Sequence, residues 1–263
     1  MATSQTQVFT SSGTFNVPIG VSMVRIAQMI GGGAGGTASF YNESVSQSGG
    51  GAGELAQNIM LHVTSGGTLA ITIGAGGIGG IGSGATPFGA GGAGGNTVVG
   101  PFVALGARAP QQTQEIGSGG GGGDGGGQVS NNPSFLYIQQ GNSQPRNGFL
   151  GIRKAPTYFS GSEGGGGNSG STQTGKSGGP SGGHLAIAGG IAGNDGGSNE
   201  AGGGSGASTI FGAGATGGIG CHNGNNAPIT STGVGGGGSG GQWFTTHLGG
   251  AGSGGYVVIS WVI

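Results

Sequence analysis

Hydrophobic and polar positions alternate along short stretches near both ends of the chain, and glycine fills most of what lies between. Gln7–Thr10 and Thr14–Val17 are strand-prone runs separated by Ser11-Ser12-Gly13, and Pro18-Ile19-Gly20 is a turn signal. Val21–Ile30 follows, with Val24 and Ile26 on one face and Arg25 on the other, an imperfect period of two. Glu54–Ser65 is free of glycine. After Gly66-Gly67, the alternation of Leu69, Ile71 and Ile73 in Thr68–Ile73 suits a half-buried strand. Asn96–Leu105 is a further strand candidate, and Tyr256–Ile263 is the cleanest of all. No segment sustains a 3.6-residue period with caps, so the pattern predicts a β protein with essentially no α-helix.

Glycine changes that picture, because it supplies 77 of the 263 residues. It falls in dense runs, among them 31–36, 49–53, 74–84, 89–95, 117–127, 212–220 and 249–255. In Gly76–Ile81 the isoleucines at 78 and 81 recur at every third position, the period of a left-handed polyproline-II helix. A collagen register is excluded, since there is no strict Gly-X-Y repeat and only 9 prolines. A polyproline-II helix forms no internal hydrogen bonds, so a buried one needs lateral partners. Glycine costs roughly 0.5–1 kcal/mol more than alanine in a regular element, and each lateral bond nets only about 0.5–1.5 kcal/mol. A lone glycine run therefore cannot stay ordered, whereas a packed array held at its edges by strands can. The expected fold is all-β plus polyglycine-II: strands at both termini enclosing a bundle of glycine-rich helices. It forms a single domain over 1–263, with strands in 1–110 and 249–263. Glycine runs with inserted loops occupy 111–248.

Charge and chemistry remove several function classes. Six Lys/Arg against seven Asp/Glu leave a net charge of −1, without the clustered cations that nucleic-acid binding requires. Cys221 is the single cysteine, which excludes an internal disulfide and a cysteine-rich zinc module. No apolar stretch reaches membrane-spanning length, and the N-terminal residues lack the pattern of a secretory signal. Gly170–Ser177 matches the spelling of a phosphate-binding loop, but its glycine-rich flanks offer neither the preceding strand nor the following helix. Cys221, His222, His184, His62 and His247 have no metal-ligand spacing. The carboxylates Glu43, Glu54, Glu115, Asp124, Glu163, Asp195 and Glu200 are scattered, and no nucleophile elbow is present. The expectation is a non-enzyme with no cofactor and no metal.

Three strings carry a resemblance. QVFTSSGTFNVPIGVSMVRI runs directly into GGGAGG, TLAITIGAGG lies at 68–77, and GGAGSGGYVVISW lies at 249–261. Together they resemble the glycine-rich domain of bacteriophage tail fibres and related virion proteins. The interior is similar in composition to the polyglycine-II tip adhesins of T-even-like phages. Met29 departs from the pattern, standing near where the family often has a large aromatic residue. The resemblance implies a virion protein on an external appendage, made in the host cytoplasm without a signal peptide. It would bind an outer-membrane protein or polysaccharide receptor through non-glycine loops, and would contact other fibre subunits as a homotrimer or as a single copy capping a trimeric fibre.

Within that frame the segment 128–163 is the foremost candidate loop. It is poor in glycine and contains Phe135, Tyr137, Phe149, Tyr158 and Phe159 together with Arg146, Arg153 and Lys154. Aromatic and Arg enrichment marks interface hot spots, and long loops on rigid scaffolds commonly carry function. Shorter insertions follow: 37–48 with Phe40 and Tyr41, 223–232, and 242–248 with Trp243, Phe244 and His247. Receptor binding by these residues is one expectation. The alternative is a structural virion component, a decoration or connector protein whose loops meet other subunits. An ice-binding face would need a regular Thr or Ala row, which the uneven runs do not supply.

Overall fold

A computed structural model describes residues 2–36, 38–39, 50, 53–83, 88–109, 111–112, 116–118, 128–130, 158–159 and 247–263. Among them there is no helix. The strands are β1 (Ser4–Phe9), β2 (Gly13–Asn16), β3 (Met23–Ile30), β4 (Ala38–Ser39), β5 (Leu55–His62), β6 (Thr68–Thr72), β7 (Ile81–Gly82) and β8 (Phe88–Gly89). They continue with β9 (Thr97–Val99), β10 (Phe102–Ala104), β11 (Gln111–Gln112), β12 (Ile116–Ser118), β13 (Gln128–Ser130), β14 (Tyr158–Phe159), β15 (His247–Leu248) and β16 (Tyr256–Val262).

Two antiparallel sheets organise the molecule. One has the order β1-β16-β3-β5-β14 and the other β10-β9-β6-β2. The smaller β11-β12-β13 sheet is also antiparallel. The predicted strand at Asn96–Leu105 divides into a tight hairpin. Gly100 takes φ +54° in the two-residue connection before Pro101, as a turn matched to strand twist requires.

Side chains from both large sheets share one core. Phe9, Val24, Ile26, Met29, Ala56, Ile59, Val257 and Ile259 come from the five-stranded sheet, and Phe15, Ile71, Val99 and Ala104 from the four-stranded one. Trp261 leans on Phe15 with ring centroids 5.1 Å apart at 59°. Met29 is fully buried there. The irregular alternation in Val21–Ile30 has a structural cause. Inward positions run Val24, Ile26, then Met29 on β3, and Leu61, Ile59, then Ala56 on β5. The register shifts by one where β16 passes this point of β3, and Asn58 adopts φ +56° on β5. A bulge of this kind swaps the faces of a strand without ending it.

Glycine runs continue the strands in line. Residues 31–36 follow β3, 74–80 follow β6, and 105–107 follow β10, while 89–95 lead into β9 and 249–255 lead into β16. They bond sideways, and between any given pair of runs the bonds recur three residues apart. Gly32 and Gly35 donate backbone N–H to the carbonyls of Gly95 and Gly92, at 2.9 and 3.0 Å. Gly33 and Gly36 donate to Ser253 and Gly250, and Gly77 and Gly80 donate to Gly33 and Gly36. Gly249, Gly252 and Gly255 donate to Gly80, Gly77 and Gly74, each at 2.8 Å. The run 31–36 thus bonds to the runs at 74–80, 89–95, 105–107 and 249–255. A pleated strand has two such neighbours at most. The approach is close enough that a Cβ on Gly32 or Gly77 would fall on the carbonyl oxygen of Ala75 or Gly92.

Polar side chains close the seam between sandwich and glycine runs. The buried Thr97 hydroxyl accepts from Gly74 N–H at 3.0 Å and donates to the Ile30 carbonyl at 2.6 Å. Glu54 donates its N–H to the Leu105 carbonyl at 2.8 Å, and its carboxylate accepts the Leu105 N–H at 2.9 Å. Its carbonyl takes the Gly31 N–H. Asn96 Oδ1 accepts from Gly106 N–H at 2.9 Å. Burying these groups without partners would be costly, so the pairing is what lets the two regions join.

Candidate binding surface

Four glycine runs end in two-residue strands on the side away from the sandwich. The run 31–36 leads towards β4 and 74–80 leads into β7, while β8 precedes 89–95 and β15 precedes 249–255. These strands meet. Ala38 and Ser39 pair with Gly89 and Phe88, and His247 and Leu248 pair with Gly82 and Ile81. β4 also contacts β7 and β15. Four passages of chain therefore converge at one end of the glycine layer. From these strands the chain passes directly into the candidate insertions 37–48 and 242–248 and into residues 84–87.

Ile78 and Ile81 on one of these runs, with Leu248 beside Ile81, present exposed apolar side chains. Their signal in the sequence was the three-residue isoleucine spacing, read as a helical period rather than as a surface. Phe40 and Tyr41 follow Ser39 directly in the chain, and Trp243 and Phe244 precede His247. These four residues lie outside the described residues, as do Phe135, Tyr137, Arg146, Phe149, Arg153 and Lys154. Tyr158 and Phe159 are placed elsewhere. They form the edge strand β14 against Ala56 and Leu55, at the start of β5 beside the seam. One end of the 128–163 segment is thus tied to the scaffold, at the end of the glycine layer opposite the converging strands.

A concave surface lies on the outer face of the five-stranded sheet. It has a volume of about 540 Å³, and its lining includes Thr6, Met23, Arg25, Met60, Ser260 and Trp261. Cross-strand pairing sets Thr6, Ser260, Arg25 and Met60 in one row. Sequence reading placed Arg25 opposite Val24 and Ile26 but did not connect it with residues from distant strands.

Among the described residues, no group of three His, Cys, Asp or Glu is arranged to hold a metal ion. Glu54 is buried and engaged at the seam, and His62 stands at the exposed end of β5. The phosphate-loop-like Gly170–Ser177 and the residues His184, Cys221 and His222 lie outside the described residues. The described part offers contact surfaces: apolar side chains, backbone edges and a rigid frame behind them.

No curated protein matches the sequence. A family model does, and it spans residues 9–262, from the end of β1 to the end of β16. That match speaks of glycine-rich domains and not of fibres or hosts. Strands at both termini, joined through laterally bonded glycine, lie within it, and the chain belongs to the glycine-rich domain family.

Proposed function

We propose that the protein is a phage virion adhesin whose glycine runs form a polyglycine-II layer, displaying non-glycine loops to a bacterial surface receptor. The layer is supported by its bonding. Lateral hydrogen bonds between two given runs recur three residues apart, and the central run has more neighbours than a pleated strand can have. The observation that carries the display reading is the convergence of β4, β7, β8 and β15 at one end of that layer. Loops that leave a rigid support side by side lose less entropy on binding than loops that must be ordered first. Phe40, Tyr41, Trp243 and Phe244 lie in the insertions that leave there.

Purified full-length protein tests this reading. The expected result is that it coats host cells and blocks infection, and that replacing Phe40, Tyr41, Trp243 and Phe244 by alanine removes both effects. Protein that leaves adsorption unchanged overturns the adhesin reading. The pairing of Tyr158 and Phe159 with β5 favours a second reading for the 128–163 segment, as part of the scaffold or of a contact with another virion subunit. Virions lacking residues 128–163 separate the two readings. Normal assembly without adsorption points to receptor binding, whereas failed assembly points to a structural role.

A further inference from the structure

Among the described residues β1 is an outer strand of the five-stranded sheet, paired on one side only, with β16. Thr3 and Ile263 exchange both of their backbone hydrogen bonds, at 2.9 and 3.0 Å. In an antiparallel pair, bonded and non-bonded positions alternate. Gln5, Gln7 and Phe9 therefore bond inward to β16, while Ser4, Thr6 and Val8 direct their N–H and C=O groups away from the sheet. All three are exposed. Sheet edges are normally blunted by charges, proline or a bulge. Residues 2–9 contain no charged residue and no proline, and the β1–β16 register is unbroken. The other edges of the two large sheets are shorter: β14 has 2 residues, β10 has 3 and β2 has 4, against 6 in β1.

We infer that this edge pairs with β1 of a second copy of the chain, antiparallel, about a twofold axis through Thr6. In that register Ser4 faces Val8 of the second copy, Thr6 faces Thr6, and Val8 faces Ser4. Every outward backbone group of one copy then meets one of the other, and the two five-stranded sheets become continuous. The contact is self-complementary, so it closes at two copies instead of running on as a filament. The central Thr–Thr pair is neutral and favourable across strands. Pairing two by two departs from the trimer or lone copy that the resemblance implies, and it holds whichever loops meet a receptor.

The test uses the full chain carrying Cys221→Ser. Sedimentation velocity over a range of micromolar concentrations should show a species of twice the chain mass. Thr6→Pro removes an outward N–H at an edge position where proline leaves the sheet intact. It should give a monomer with an unchanged circular dichroism spectrum. Thr6→Cys should form a covalent dimer under mild oxidation, since bonded antiparallel pairs have Cα atoms about 5.5 Å apart, within disulfide reach. Ser4→Cys, whose counterpart would be Val8, should not. A wild-type monomer at every concentration overturns the inference. So does a dimer that survives Thr6→Pro, or one that Ser4→Cys locks as readily as Thr6→Cys.

Discussion

Gly77 and Gly13 are the same residue in opposite circumstances. A methyl group on Gly77 would strike the carbonyl of Gly92, whereas one on Gly13 meets nothing within 4 Å. Backbone cannot swing aside as a flexible side chain can. Gly77→Ala, and likewise Gly32→Ala, should therefore cost about 1–3 kcal/mol or more by overpacking, while Gly13→Ala should stay within about 0.5 kcal/mol. Urea denaturation midpoints with unchanged slopes provide the comparison. Thr97 is the other decisive single residue. Thr97→Val leaves the Gly74 N–H and the Ile30 carbonyl without their hydroxyl partner, which should cost about 1–3 kcal/mol. Thr97→Ser should recover most of it.

At the scale of elements, the bulge where β16 passes β3, with Asn58 opposite on β5, decides which side chains reach the core. Asn58 sits at φ +56°, a conformation that asparagine tolerates and β-branched residues resist. Asn58→Val should lose about 1–2 kcal/mol, and Asn58→Gly should be close to neutral, both read from thermal unfolding. The terminal strands were legible in the sequence because alternation such as Leu69, Ile71, Ile73 marks a one-sided strand directly. The bulge was not, since Ala27 and Asn58 look unremarkable until their partners are known. The two-residue strands β4, β7, β8 and β15 were equally invisible. Such pairings are set by neighbours far away in the chain, and a pair such as Phe88-Gly89 has no period of its own. The seam escaped notice for the same reason, because Thr97 and Glu54 acquire their roles only from Ile30, Gly74 and Leu105.

At the scale of the whole molecule, glycine runs extend the strands of a hydrophobic sandwich and bond to one another in several directions. The sandwich supplies a conventional core, and the runs carry its order outward to the end where β4, β7, β8 and β15 meet. Candidate loops were identified in the sequence by their aromatic content; the meeting of the short strands beside them was not, because it follows from the packing of the runs. Amide hydrogen exchange followed residue by residue tests this most directly. Between 74 and 80 the N–H groups of Gly74, Gly77 and Gly80 donate to partners. Those three amides should be protected, while Ala75 and Ile78, whose side chains are exposed and whose carbonyls rather than N–H groups make the lateral bonds, should exchange rapidly. Protection at every third residue is the predicted result; protection at every second residue, as on a pleated edge, or uniformly fast exchange would contradict it.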